Sequence, residues 1–228
     1  MDLNSFGISP MQIISFICFI PAIVFHEVAH GLVAYKLGDP TAKSLGRLTL
    51  NPVAHVDPFG TVLLPILLAL AGGPVFGYAK PVPYNPRYFK NIRKGEVLTG
   101  LAGPAANLIL GIIGAFVGVV ALVAYPLAPA VLEWVVNTCY MFTLVNFCLM
   151  FFNLIPLPPL DGSSIIAPFL SDKALHQYYS IQRYALPLLM VILIVVPMVL
   201  NFSPIGIYIQ FTAGNLTELL FSVANLFY

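Results

Sequence analysis

The chain has 228 residues, of which 59% are hydrophobic and only 8% are charged, and its formal net charge at pH 7 is +1. Soluble domains carry about 25% charged residues, so this composition excludes an ordinary soluble domain and indicates a polytopic membrane protein. The near-neutral charge gives no reason to expect nucleic acid as a partner. The three cysteines lie in apolar runs without metal-ligand spacing, which is typical of small packing residues.

Six apolar runs divide the chain. They cover about residues 8–37, 59–77, 97–125, 131–157, 184–202 and 205–228. A transmembrane helix needs about 20 mostly apolar residues, which the first, third, fourth and fifth runs supply. The last run contains Gln210 and Glu218, and the second is broken by proline and glycine. Because the connections are too short to fold alone, we predict one all-α polytopic membrane domain over 1–228, with about five to six transmembrane helices.

The basic residues predict the orientation of the chain. All ten lie in three segments, which follow the first run, precede the third, and separate the fourth from the fifth. The positive-inside rule places these segments in the cytoplasm and the N-terminus outside. The segments 36–47 and 80–94 then share one side, so the run at 59–77 cannot cross the membrane once. Between the first and third runs we therefore expect a re-entrant element or a short β element. The β element would pair strands at 42–50 and 78–84, and a hairpin of two short helices is the alternative.

The first run contains the pattern His26-Glu27-Val28-Ala29-His30. Histidines four residues apart lie on one face of a helix, so both rings can reach one metal ion. The adjacent glutamate then lies beside the metal, where it can accept a proton from a bound water. Ionisable side chains at membrane depth are costly and usually functional. The pattern predicts a zinc hydrolase site, with a non-catalytic metal site or the proton relay of a transporter as the alternatives.

The depth of this site follows from the helical rise. His26 precedes Lys36, the first basic residue, by ten positions, or about 15 Å of helix at 1.5 Å per residue. We therefore expect the site to lie well within the bilayer and to open toward the cytoplasm.

A catalytic zinc usually has three protein ligands and a water, so one ligand remains to be found. The candidates are His55, Asp57, Glu96, Asp161, Asp172 and His176. Asp161 follows the fourth run directly, where prolines at 156, 158 and 159 end the helix and Gly162 permits a sharp turn. A broken helix end at membrane depth is expected to line a water-filled cavity. From spacing alone, an ordinary capping aspartate remains an equal alternative.

Several motifs occur in a characteristic order. They are HEVAH in the first run, the segments Asn51–Pro58 and Gly77–Pro83, AGPAAN from Ala102 to Asn107, and NLIPLPPLDG from Asn153 to Gly162. Together they resemble the site-2 protease family of intramembrane zinc metalloproteases, peptidase family M50, in its small form without PDZ or CBS domains. The resemblance covers most of residues 20–170, and it implies a catalytic core at about 8–170 followed by C-terminal helices at about 184–228.

The resemblance also implies roles for single residues. It implies His26, His30 and Asp161 as the ligands of one Zn²⁺ per chain and Glu27 as the catalytic base. Either of two amides, Asn107 or Asn153, is expected to hold the scissile carbonyl or to stabilise the oxyanion. For Asn107 an interhelical hydrogen bond is an equal alternative. His55 is expected either to position a ligand or substrate or to pin the chain, and Asp57 to be structural.

The function implied by the resemblance is hydrolysis of peptide bonds within or next to the transmembrane helices of membrane proteins. The expected partners are such a substrate and the lipid bilayer, and the expected location is a prokaryotic cell membrane; no oligomeric state is indicated. The alternative is a metal-handling or proton-coupled transporter that uses the same residues. The outer parts of the first and third runs have no ionisable group except Cys18 and Tyr125, which argues against a path across the membrane.

Overall fold

The computed structural model describes residues 9–63, 66, 78–123, 128–180 and 182–224. Over these ranges the chain is helical and contains no strand. The helices are α1 (Pro10–Lys36), α2 (Thr41–Ser44), α3 (Ile92–Val123), α4 (Pro129–Asn153), α5 (Gly162–Ile166), α6 (Asp172–Ser180), α7 (Gln182–Met190), α8 (Val196–Leu200), α9 (Pro204–Ile209) and α10 (Asn215–Ser222). Short π-helical segments, Val191–Val195 and Gln210–Gly214, continue α7 into α8 and α9 into α10. The predicted all-α class is confirmed for this part of the chain.

Three long helices form the centre of the fold. These are α1, α3 and α4, and each of them packs against the other two. The sequence sets the start of α1 through a capping box, in which the Ser9 side chain accepts a hydrogen bond from the Gln12 backbone and the Gln12 side chain accepts one from the Ser9 backbone. A core around fully buried Phe147 joins α4 to the C-terminal helices through Met150 and Ala213. Buried polar residues lie within this group of three helices, namely His26, His30, Thr99, Asn107 and Asn146.

Three helices are long and apolar enough to cross a membrane, namely α1, α3 and α4. A fourth span is formed only if the pair Pro187–Leu200 and Pro204–Ser222, bent by 104°, counts as one. Asn201 at this bend adopts a left-handed conformation with φ of 48°, and Ser203 caps the helix that follows. The described helices therefore support the prediction of a membrane protein. The expected count of five to six spans stays a prediction.

The short β element expected between α1 and α3 is not found in the described residues. Helix α2 and a turn at residues 45–46 take the place of the first half of the expected strand, where Gly46 adopts φ of +66° and the Arg47 N–H bonds back to the Ala42 carbonyl. Residues 47–50 have no regular structure. Residues 78–84 run without regular structure, and Pro81 and Pro83 have no N–H for a strand ladder. The expected re-entrant run at 59–77 lies outside the described residues except for 59–63 and 66, and the first five belong to a π-helical segment, Pro58–Leu63.

Asp39 fastens the segment after α1 to the segment before α3. This buried carboxylate accepts hydrogen bonds from the Thr41 backbone at 2.9 Å, from the Thr41 hydroxyl, and from the Asn85 backbone at 2.6 Å. Burial raises the pKa of Asp39, but these hydrogen bonds outweigh the burial and leave the pKa below its usual value. The ionised side chain thereby holds Asn85 near the end of α1.

Candidate metal centre

Three predicted ligand atoms meet between α1 and the turn before α5. The Nε2 atoms of His26 and His30 lie 3.0 Å apart. Asp161 Oδ2 lies 3.1 Å from the first of these atoms and 3.2 Å from the second. Both histidines are buried, and these residues form the one group of three His, Cys, Asp or Glu side chains with metal-ligand spacing in the described part of the chain.

The spacing of the three atoms fits zinc. Bonds of about 2.0–2.2 Å in a tetrahedral site separate the ligand atoms by roughly 3.3–3.5 Å. The observed separations of 3.0–3.2 Å are slightly shorter than this, and small outward shifts of the side chains would match them. Two imidazoles and one carboxylate also form a donor set typical of catalytic zinc, which keeps its fourth position for water or substrate.

A backbone carbonyl fixes the proton position on His30. The His30 Nδ1 atom lies 2.6 Å from the Thr99 carbonyl oxygen on α3. Because a carbonyl only accepts, Nδ1 carries the proton and donates, and Nε2 presents its lone pair to the other ligands. No side chain supplies this contact, so nothing in the residue types could have indicated it.

Asn107 plays the corresponding part for His26. Its Oδ1 atom lies 2.6 Å from His26 Nδ1, and its Nδ2 atom donates to the Ala22 carbonyl at 3.1 Å. The Asn107 side chain is fully buried and does not line the cavity beside the cluster. This geometry favours an interhelical, histidine-positioning role and does not support the expected contact of Asn107 with an oxyanion.

Gly162 brings Asp161 to the cluster by a close approach of the backbone. A Cβ atom at this position would lie 2.4 Å from the Leu154 carbonyl oxygen and 2.5 Å from that of Ile155. The sequence predicts that this glycine serves through its backbone freedom in a turn. The structural reason is different, since its φ is not positive and the missing side chain leaves room for the end of α4.

Gly103 on α3 leaves room for the two rings. A Cβ atom there would lie 2.4 Å from His30 Nε2 and 2.5 Å from the Cε1 and Nε2 atoms of His26. Real Cβ contacts are essentially never this short, so any larger residue would displace the ligands. The AGPAAN motif therefore contributes both an empty position and an amide to the same site.

A cavity of about 560 Å³ opens beside the cluster and is lined by all three predicted ligands, Glu27 and Asn153. Glu27 is partly buried, and its Oε2 atom accepts a hydrogen bond from the Val82 backbone at 2.8 Å. Asn153 donates one amide hydrogen to the Leu149 carbonyl at 3.0 Å. The predicted base and one predicted substrate-positioning amide thus share the cavity with the ligands.

The remaining candidate ligands either are not part of the three-residue cluster or have side chains outside the described part of the chain. Glu96 lines the cavity but is not part of the three-residue cluster. Asp57 accepts hydrogen bonds from the backbones of Phe59 and Gly60, which is a structural role. The side chains of the other two, Asp172 and His176, lie outside the described part of the chain.

His55 has surroundings that do not support the expected substrate-positioning role. Its side chain is buried and does not line the cavity. Its Nε2 atom lies 2.8 Å from the Thr49 carbonyl oxygen, and its own carbonyl accepts from the Lys80 backbone at 2.9 Å. These contacts favour the structural alternative, in which His55 pins the connection between α1 and α3.

An extended segment such as 78–84 could in principle receive a substrate by strand addition. Several of its backbone groups already have partners within the chain. Val82, between two prolines, donates its N–H to Glu27, and Lys80 donates to the His55 carbonyl. Arg47 donates to the Lys80 carbonyl at 2.7 Å. Strand addition at this segment is not supported in this conformation.

Comparison with known proteins places the chain among metalloproteases. A sequence profile of peptidase family M50 matches residues 118–196. "Putative zinc metalloprotease YwhC" of Bacillus subtilis is 40% identical over 201 residues, which cover 87% of this chain and 84% of that protein. Rip2 of Mycolicibacterium smegmatis, named in the same words, is 27% identical over 86% of this chain and 76% of its own. "Zinc metalloprotease MJ0392" of Methanocaldococcus jannaschii is 29% identical over 69% of this chain and 34% of its own. No solved structure matches the chain.

Proposed function

The chain belongs to peptidase family M50, and from that premise we propose that it hydrolyses peptide bonds within or next to the transmembrane helices of membrane proteins. It is a membrane protein and a zinc metalloprotease. One observation carries the proposal: the three predicted ligands and Glu27 line one cavity between apolar helices. The transporter alternative is not favoured, because the relatives are named metalloproteases.

His26, His30 and Asp161 are the residues that would hold one Zn²⁺ per chain, within a single protease domain over 1–228. When bound there, zinc lowers the pKa of water and polarises a carbonyl. Glu27 accepts the proton of the attacking water and then passes it to the leaving amine. Its hydrogen bond from the Val82 backbone occupies Oε2, which leaves Oε1 for this transfer.

Asn153 is the amide best placed to contact the substrate. It lines the cavity, and the Leu149 carbonyl takes only one of its two amide hydrogens. The second hydrogen can be directed to the scissile carbonyl, where it would stabilise the developing oxyanion. A helical substrate keeps that carbonyl in a backbone hydrogen bond, so the substrate must unwind locally before cleavage.

We infer the orientation from charge. The positive-inside rule puts the basic segments 36–47 and 80–94 in the cytoplasm, which leaves the N-terminus outside. The cavity is lined by Pro81, Tyr84 and Glu96, which belong to or adjoin the second of these segments. The site therefore opens toward the cytoplasm, in a cell membrane that the bacterial and archaeal relatives suggest is prokaryotic.

The test measures zinc content and cleavage of a panel of single-span helices by the purified protein. We expect about one zinc per chain, and cleavage that the Glu27→Gln variant loses by about 10²–10⁴-fold while zinc is retained. Glu133→Gln is the matched control, because Glu133 is an exposed carboxylate on α4 that does not line the cavity. Zinc binding without cleavage of any membrane helix, with soluble peptides cleaved instead, would contradict the intramembrane substrate.

A further inference from the structure

We propose that Asn146 is a positioning residue for His26, acting through Asn107, a role that rests on the metal centre of the proposed function. The two amides form a relay that runs from α4 through α3 to α1 and determines which nitrogen of the His26 ring carries the proton. This relay turns the Nε2 lone pair of His26 toward the other two ligands. Asn146 belongs to none of the motifs above, and the one signal for it in the sequence is an amide inside an apolar run.

The first step of the relay fixes the Asn146 amide. Its Nδ2 atom donates to the Phe142 carbonyl, one turn earlier on α4, at 2.8 Å. Because that carbonyl can only accept, the nitrogen must face it, and Oδ1 faces the opposite way, toward α3. Asn146 is thereby held as an acceptor for whatever α3 presents.

The second step fixes the Asn107 amide. Its Nδ2 atom donates to Asn146 Oδ1 at 2.9 Å and to the Ala22 carbonyl at 3.1 Å. Both amide hydrogens are used by acceptors, so Asn107 can offer only Oδ1 to the histidine. His26 Nδ1, 2.6 Å away, must therefore carry the proton, and Nε2 is left as the unprotonated ligand atom.

Burial makes this ordering strict. Both asparagine side chains are 0% exposed, so water cannot replace a lost partner. A buried polar group without a partner is disfavoured, and the flipped arrangement of either amide would place two acceptors against each other. His30 needs no such relay, because a backbone carbonyl holds it. His26 is the ring whose orientation depends on side chains.

The competing explanation is that Asn146 only joins two helices. Thr143 offers a matched control for it, since this residue lies one turn earlier on α4 and is also 0% exposed. Its hydroxyl donates to the Gly111 carbonyl of α3 at 3.3 Å, which is a buried bond between the same two helices. This bond involves neither Asn107 nor His26. Thr143→Val removes a bond of the structural kind without touching the relay.

The experiment measures zinc affinity by chelator competition on the purified full-length protein in detergent, beside the thermal stability of the zinc-free protein. Removal of a partner that orients a metal-bound histidine typically weakens metal binding 10–100-fold. We expect Asn107→Leu to weaken zinc binding by a factor within this range. Asn146→Leu should weaken it by a factor near the lower end, because in that variant the Ala22 carbonyl still holds Asn107. We expect Thr143→Val to lower thermal stability and leave zinc affinity unchanged. The visible spectrum of the Co²⁺-loaded protein should change in the two asparagine variants alone.

Equal zinc affinity in wild type, Asn146→Leu and Thr143→Val would overturn the relay and leave only helix packing. If Asn146→Leu does not fold, Asn146→Ser replaces it, since a serine hydroxyl keeps the bond to the Phe142 carbonyl but is too short to reach Asn107. A wild type that binds zinc but cleaves no substrate would overturn the protease proposal alone. A folded wild type that binds no zinc would overturn the metal centre and the relay together.

Discussion

The carboxylate of Glu27 on α1 accepts a hydrogen bond of 2.8 Å from the backbone N–H of Val82, 55 positions later in the chain. Val82 lies between Pro81 and Pro83, which have no N–H of their own, so it is the only backbone donor of this tripeptide. Val82 and Pro81 also line the cavity. Residues 81–82 therefore both line the cavity and orient its proposed base.

Val82→Pro removes this donor. We expect kcat for a cleaved helix to fall about 10-fold, because the carboxylate loses a charge-assisted hydrogen bond of about 1.5–3 kcal/mol that fixes its direction. Val82→Ala keeps the N–H while trimming the buried side chain, and it serves as the control. The measurement is kcat and KM for both variants with zinc content verified. A kcat for Val82→Pro equal to that of Val82→Ala would show that the bond does not orient Glu27.

Gly103→Ala adds a methyl group where the two histidine rings lie. We expect zinc content and activity to be lost, since the Cβ would come within 2.4 Å of His30 Nε2. Gly118→Ala on the same helix is the control, because its Cβ would meet the end of the Phe221 side chain, far along α3 from the cluster. Overpacking at either site lowers stability by about 1–3 kcal/mol, but only the first variant should lose zinc. Full zinc content in folded Gly103→Ala would contradict the arrangement of the rings.

Local periodicity explains which features of this site the sequence predicts. The i, i+4 spacing places His26 and His30 together on any α-helix, and prolines that end α4 predict the broken turn bearing Asp161. The Thr99 carbonyl and the Val82 N–H are backbone groups, so residue type carries no information about them. Their contacts depend on how α3 and residues 78–84 pack against α1.

The connection after α1 illustrates the limit of pattern reasoning in the fold. Alternation of polar and apolar residues at 42–50 suggested a strand, yet residues 41–44 form a helical turn and Gly46 reverses the chain. A strand at 42–50 needs a partner strand with free N–H groups. Pro81 and Pro83 in the 78–84 segment have no N–H, so this segment cannot supply a regular ladder. The alternation at 42–50 is a local pattern and does not show whether a pairing partner is available, so it predicted the wrong structure.

Zinc removal should destabilise the protein by linkage. A ligand that binds only the folded state stabilises it by RT ln(1 + [L]/Kd), which is about 2.7 kcal/mol when free zinc is 100 times Kd. We expect a chelator to lower the thermal midpoint of the wild type and of Glu27→Gln alike, because Glu27 is not a proposed ligand. His30→Ala should already have the lower midpoint and should not respond to the chelator. A response in His30→Ala equal to that of the wild type would place the metal elsewhere.

Asp39 should make stability depend on pH in the acid range. Hydrogen bonds from Thr41 and Asn85 outweigh the effect of burial and hold the pKa of Asp39 below its unfolded value of about 3.9. A carboxyl with a lowered folded pKa stabilises the protein fully above the unfolded pKa, and this stabilisation is lost as pH falls through the folded pKa.

Asp39→Asn therefore lowers thermal stability at pH 7, because its amide nitrogen would face the donors that the carboxylate now accepts from. The difference in thermal midpoint from the wild type should stay constant from pH 7 to about pH 5 and shrink below about pH 4. Measurements on zinc-free protein keep acid release of the metal from contributing. Thr41→Val, which removes one of the three donors, should give a smaller difference with the same pH profile. A difference for Asp39→Asn that does not change with pH would show that the charge of Asp39 is not what fastens the α1–α3 connection.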